Sequence, residues 1–204
     1  MFKKNSEICK TRVYFKTIKN MFINKLLSLV LLILFSPIFL LIGIIIFFDD
    51  GLPVIFTQKR VGFKNEYFSF YKFRTMKKDT PNIPTHLMKT NKNTFTKTGS
   101  FFRKLSIDEL PQLFNILKGE MLFIGPRPAL YNQEDLINYR TKKDIHLIKP
   151  GITGWAQVNG RDKISIKEKV KMDYYYYLNK SFKLDLIILY RTVINVSKSK
   201  NISY

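Results

Sequence analysis

From Leu26 to Phe48 the chain runs 23 residues without a charged side chain, and Ser36-Pro37 falls near the middle of that run. As one helix it would be ~35 Å long at ~1.5 Å per residue, enough to cross a hydrocarbon core. Pro37 argues against an uninterrupted helix, because it offers no N–H to the Ile33 carbonyl and its ring crowds the preceding turn. The Ser36 hydroxyl is placed to satisfy a freed carbonyl such as that of Leu32. Charge points the same way. Residues 1–25 carry seven Lys or Arg against one Glu, and the rest of the chain carries 28 against 14. Both flanks are therefore drawn to the cytoplasmic side, which a helix-break-helix hairpin satisfies and a single span does not. A single span with a proline kink is the alternative. A cleaved signal peptide fits less well, since the apolar run is too long and no small-residue cleavage site follows it.

The formal net charge of +20 asks for an anionic partner: nucleic acid, lipid headgroups or phosphorylated substrates. The aromatic residues sit mostly in apolar runs, not among the basic residues, which disfavours a base-stacking platform for nucleic acid. One cysteine, Cys9, excludes an internal disulfide and a CxxC metal site. His86 and His146 lie in unrelated surroundings, so any metal would be held by oxygen.

Beyond Asp49-Asp50-Gly51, Val54–Gln58 and Tyr67–Phe73 read as a small β-hairpin. Residues 77–98, rich in Lys, Thr, Asn and Pro, read as a long loop. Helices are expected over Asp108–Lys118, Asn132–Arg140, Ser165–Leu178 and Leu184–Val196. The run Tyr174–Tyr177 and the last helix suit a membrane interface, and core packing accounts for the last helix equally well.

Chemistry concentrates around Asp108-Glu109. Ser106-x-x-Glu109 matches a capping box, which would assign Glu109 to backbone donors and Pro111 to the first helical turn. That leaves Asp108 unexplained. A carboxylate at a helix start faces a positive dipole and serves as a nucleophile or metal ligand, and adjacent carboxylates share a Mg²⁺ whose other ligands are phosphate oxygens. Arg103, Arg127 and Arg161 supply planar forks for a diphosphate. Gln58-Lys59-Arg60 is a further basic patch, either a headgroup contact or a solvated face. Lys149–Arg161 packs three glycines, the only tryptophan and a closing arginine into 13 residues, as in a loop that brings backbone close to a ligand. Gly-rich turns also form without one, and no P-loop or GxGxxG accompanies it.

Taken in order, Ser36-Pro37, Gln58-Lys59-Arg60, Tyr71-Lys-Phe-Arg-Thr-Met76, Asp108-Glu109, Gly125-Pro-Arg-Pro128 and Pro150–Arg161 closely resemble the monotopic phosphoglycosyl transferases among the bacterial sugar transferases. The resemblance runs from about Ile23 to Thr192 and looks like the small, minimal form. It implies an α+β fold: a basic segment over 1–22, a re-entrant membrane hairpin over 23–50, and a cytoplasmic catalytic domain over 51–204 with interfacial amphipathic helices. It also implies transfer of a sugar 1-phosphate from a UDP-sugar to polyprenyl (undecaprenyl) phosphate at the cytoplasmic membrane, starting a surface glycan such as a capsule. In that resemblance Asp108 is the nucleophile, Glu109 deprotonates the lipid acceptor, Mg²⁺ sits against both, and Arg103, Arg127 and Arg161 bind phosphate. Asp79–Asn82 and Gly125–Gln133 look most like members that use N-acetylated deoxyhexosamines, with the loop Lys77–Lys97 reading the sugar. A phosphohydrolase of lipid diphosphates, or a membrane-tethered basic binding protein, would share parts of this residue set.

Overall fold

The computed structural model describes residues 21–78, 80, 94–160 and 164–198. Two apolar helices, α1 (Met21–Leu34) and α2 (Ser36–Asp50), meet at a bend of 62°. Pro37 lies in the first turn of α2, where a missing N–H costs nothing. The Ser36 hydroxyl donates to the Ile33 carbonyl at 2.8 Å, the carbonyl Pro37 strands, and not to that of Leu32. No single helix among the described residues is long and apolar enough to cross a membrane.

Behind the bend lies a mixed α+β body. Strands β1 (Ile55–Val61) and β2 (Tyr67–Phe73) form an antiparallel hairpin paired from Ile55↔Phe73 to Val61↔Tyr67. The first strand thus extends past the expected Gln58 and takes in Lys59 and Arg60. The short β4 (Ala129–Leu130) pairs with the other edge of β1, and β3 (Leu122–Ile124) runs parallel to β5 (Gly151–Thr153) in a separate two-stranded sheet.

The helices are α3 (Gly99–Lys104), α4 (Gln112–Lys118), α5 (Glu134–Lys142), α6 (Trp155–Val158), α7 (Ile166–Asn179) and α8 (Phe182–Ser197). The expected helix over Asp108–Lys118 is two pieces. A 3-10 turn covers Ile107–Glu109, and α4 starts only after Pro111. Ser165 caps α7 through a capping box with Glu168, whereas Ser106 makes no side-chain cap.

The main core gathers Val61, Leu136, Ile145, Ile148, Val170, Tyr176 and Ile188 between the strands, α5, α7 and α8. Tyr176 and Tyr177 are buried there, which corrects the interfacial reading of the tyrosine run; Tyr175 is exposed and stacks on Trp155 at 5.6 Å. Burial and the nearby Asp185 carboxylate push the Tyr176 hydroxyl up, so it stays protonated and donates to Asp185 at 2.8 Å. Helix α8 divides its apolar residues, with Leu184 and Ile188 in the core, as the core-packing alternative expects, and Phe182, Leu186, Tyr190 and Val193 exposed.

The apolar pair is tied to the body along its length. Ile42 and Ile46 pack on Phe73 and Phe102. Ser28 donates to the Leu113 carbonyl, the Phe123 N–H donates to Asn24, and Arg74 reaches the Asp50 and Gly51 carbonyls as well as the Asp50 carboxylate. Its remaining surface, including Phe22, Leu26, Ile33, Leu40 and Phe48, is exposed.

Candidate active site

Ser106 takes a left-handed conformation with φ at +56°, and this turns the chain sharply into the 3-10 turn that carries the carboxylates. Asp108 and Glu109 are 4% and 8% exposed, so each needs a charged partner. Lys72 supplies one. Its Nζ lies 3.3 Å from Asp108 Oδ2 and 2.9 Å from Glu109 Oε1. Arg127 Nη2 reaches the same Oε1 at 2.9 Å. Glu109 therefore faces two cations and does not cap the helix, which overturns the capping-box reading.

Below the charges lies the buried Phe70 ring. Lys72 Nζ is 5.9 Å from its centroid, the Arg127 guanidinium 6.0 Å and the Arg60 guanidinium 5.1 Å. An aromatic face attracts all three cations, and it offers them no competing hydrogen bond. Phe70 and Lys72 share one face of β2 through the period of two, and their partners Gln58 and Phe56 share the matching face of β1.

That register separates the expected basic residues. Arg60 lies on the Phe70 side, donating from Nε to Gln58 and from Nη1 to the Pro128 carbonyl. Lys59 points to the other face, over the Tyr67 ring at 4.0 Å, away from the dyad. Arg103, on α3, sits 5.5 Å over the Phe95 ring with Nη1 3.5 Å from Met76 Sδ. Arg161, Asp79, Pro81, Asn82, most of the 77–98 loop, Cys9 and His86 lie outside the described residues.

Arg127 is carried by Pro126-Arg127-Pro128, whose prolines have no N–H to anchor the segment. It is held instead by its carbonyls. Gly151 N–H donates to Pro126 O at 3.0 Å, Arg140 Nη1 to Arg127 O at 2.8 Å, and Arg60 Nη1 to Pro128 O at 3.0 Å. The glycines of the Lys149–Arg161 motif allow this approach, since a methyl group on Gly151 would collide with the Gly125 backbone. Gly154 makes the same close approach, to the Gly125 carbonyl. Arg140 is anchored by Asp173, donating from Nε and Nη2 to Oδ2 at 3.0 and 2.6 Å.

Lys72, Phe70, Arg140 and Asp173 were not singled out from the sequence. For the first two a signal existed, the alternation in Tyr67–Phe73. No group of three or more metal-ligating side chains occurs among the described residues. Two adjacent carboxylates are nevertheless the donor set that suits Mg²⁺, which takes one or two carboxylates and completes its shell with water and phosphate oxygens.

Paired carboxylates between two cations, beside an exposed apolar helix pair, are equipped to meet a phosphorylated lipid. The family model for bacterial sugar transferases matches residues 14–199. The chain belongs to that family. It is 48% identical over 154 residues to an uncharacterized sugar transferase, EpsL, of Bacillus subtilis, covering 74% of both chains. It is 35% identical over 187 residues to the exopolysaccharide production protein ExoY of Rhizobium meliloti, covering 84% of this chain and 82% of that one. An Aeromonas hydrophila UDP-N-acetylgalactosamine-undecaprenyl-phosphate N-acetylgalactosaminephosphotransferase is 38% identical over 78% of this chain and 39% of its own length. This bacterial sugar transferase is thus an enzyme of the sugar-phosphate transferase type.

Proposed function

We propose that the protein transfers a sugar 1-phosphate from a UDP-sugar to undecaprenyl phosphate, releasing UMP and starting an exopolysaccharide or capsule chain. The observation that carries this reading is the buried Asp108-Glu109 pair facing Lys72 and Arg127 in a body tied to an exposed apolar helix pair. The named activity of the Aeromonas relative and the exopolysaccharide role of ExoY support it.

Asp108 is the nucleophile. Its carboxylate oxygen attacks the β-phosphorus of the UDP-sugar, the bond from that phosphorus to the bridging oxygen breaks, and UMP leaves with the electron pair. The acceptor's phosphate oxygen then attacks the same phosphorus, giving the lipid diphosphate sugar and freeing Asp108. Glu109 removes the proton of an incoming lipid phosphate that arrives protonated. Lys72 and Arg127 spread the charge that builds on the phosphoryl oxygens. Mg²⁺, held by Asp108 and Glu109, would supply further neutralisation of the diphosphate.

The hairpin reading belongs to the same proposal. At ~1.5 Å per residue α1 and α2 are each roughly 21 to 23 Å long, short of a hydrocarbon core of about 30 Å. Together with the 62° bend and basic flanks, this supports a pair that enters one leaflet of the cytoplasmic membrane and returns, keeping the dyad on the cytoplasmic side. The exposed face of α8 then lies in the interface.

The test is UMP release by detergent-purified protein given Mg²⁺, undecaprenyl phosphate and a panel of UDP-sugars, with N-acetylated deoxyhexosamine donors first. Lipid-dependent turnover that Asp108→Asn abolishes is the expected result. Turnover that proceeds without lipid and liberates sugar phosphate would replace the transferase reading with hydrolysis.

A further inference from the structure

We propose that Arg140, locked by Asp173, is a positioning residue that sets where Arg127 stands over the dyad; this rests on the transferase reading of the site. Three observations carry it. First, the Arg127 carbonyl is gripped by Arg140 Nη1 at 2.8 Å, in a segment whose flanking prolines remove the N–H groups that would otherwise anchor it. Second, the other two donor contacts of that guanidinium converge on Asp173 Oδ2, with Arg140 8% and Asp173 1% exposed, so its orientation is fixed from behind. Third, a small cavity borders the segment, lined by Pro126, Pro128, Arg140, His146 and Pro150 among others, so the loop has room to shift on that side and its height depends on the hydrogen bonds to its carbonyls, of which the Arg140 bond holds that of Arg127 itself.

The ion pair needs such an account. A buried pair is often no more stabilising than two well-packed apolar residues of similar size, which would join α5 to α7 equally well. No apolar residue would donate to the Arg127 carbonyl. The pair thus turns the rigid α5–α7 contact into a fixed height for one loop carbonyl, and with it the reach of the Arg127 guanidinium to Glu109 at 2.9 Å. Misplacement of a substrate-facing group by about 1 Å costs on the order of 100-fold in rate.

Arg140→Met alone would strand Asp173 and endanger folding, so the decisive variant is Arg140→Met with Asp173→Leu, which removes both charges together. It is expected to keep a thermal midpoint close to that of the parent while kcat/KM for UMP release falls on the order of 10- to 100-fold. In an Arg127→Ala background the same double change is expected to cost almost nothing, because its target is already gone. Amide exchange over residues 125–130 is expected to quicken in the double variant whether or not substrate is turned over. Parent-like kcat/KM, or an equal fold-loss with and without Arg127, would overturn the proposal. If the parent protein itself shows no lipid-dependent UMP release, the transferase reading fails, and unchanged exchange over 125–130 would then sink the positioning role separately.

Discussion

Among the described residues the protein buries carboxylates against cations in two places, and the two are built to opposite ends. At Asp108-Glu109 two carboxylates face Lys72 and Arg127; one oxygen, Glu109 Oε1, draws both cations, while Asp108 has a single longer contact at 3.3 Å. At Asp173 one carboxylate faces one guanidinium through two short bonds to the same oxygen. Burial pushes the Asp173 carboxyl up, against the pull of Arg140, so the pair is held together by geometry at the expense of solvation. The cations of the first cluster keep about a fifth of their side chains exposed, at 19% for Lys72 and 23% for Arg127, whereas the second cluster is sealed at 10% and 2%. An open cluster can exchange a protein partner for a phosphate. A sealed one can only hold its neighbours in place.

Substitutions in the two clusters are therefore expected to fail in different assays. Asp108→Asn has the largest expected effect: UMP release falls by on the order of 10³-fold or more, as for loss of a covalent nucleophile. Its thermal midpoint is expected to hold or rise, because removing one of two adjacent negative charges relieves repulsion. A variant that lost its fold along with its activity would erase the distinction between the clusters.

Asp173→Asn comes next. It leaves Arg140 buried without its counter-charge, so a loss of roughly 3 kcal/mol in unfolding free energy is expected, at the lower end for a broken buried pair. Denaturant titration measures it. A loss below about 1 kcal/mol would mean that the site admits water and is not sealed.

Sequence reasoning found the first cluster and missed the second for a physical reason. Asp108-Glu109 announces itself because two acids stand at the mouth of an apolar helical run, with Arg103 before them and Gly125-Pro-Arg-Pro128 after, and the apolar run with Pro37 at its centre reads directly as a bent pair. Arg140 and Asp173 stand 33 positions apart on different helices, and only the packing of α5 on α7 joins them. Lys72 stands in the Tyr71-Lys-Phe-Arg-Thr-Met76 stretch of the resemblance, but the sequence assigned it no role; that follows from the β1–β2 register, which places it beside Phe70 on the face that meets the 3-10 turn. The capping pattern shows how one motif reads two ways. Ser106-x-x-Glu109 and Ser165-x-x-Glu168 share a spacing, but Ser106 is left-handed and makes no side-chain cap, so only the second forms a box. Backbone conformation decides, and the spacing alone does not carry it.

Lys72→Met sharpens the comparison from the other side. It removes a donor that touches both carboxylates, and kcat is expected to fall about 100-fold, the usual cost of losing one charge-stabilising donor. The effect should fall mainly on kcat with Mg²⁺ in excess, since the lysine's worth lies in charge that develops during transfer. An equal rise in KM with kcat intact would assign Lys72 to ground-state binding of the diphosphate.

The smallest effect is expected where like charges meet without a carboxylate at bonding distance among the described residues. Lys149 donates to the Gly119 carbonyl at the end of α4, and the Lys25 side chain packs against the same glycine. Burial first, and then Lys25, push the Lys149 ammonium below its ordinary value of 10.5, with Glu66 and Glu120 pulling it back. The unfolded chain therefore binds the Lys149 proton more readily than the folded one, so this group's penalty is fully present at neutral pH and fades as pH rises towards 10.5. Lys25→Gln removes the repulsive part. It is expected to raise stability at pH 7 by a few tenths of a kcal/mol, the scale of a partly exposed charge pair. The gain should shrink as thermal midpoints of parent and variant are compared at successively higher pH up to about 10. A gain that stays constant with pH would mean that packing against Gly119, and not repulsion between the two ammonium groups, separates the variant from its parent.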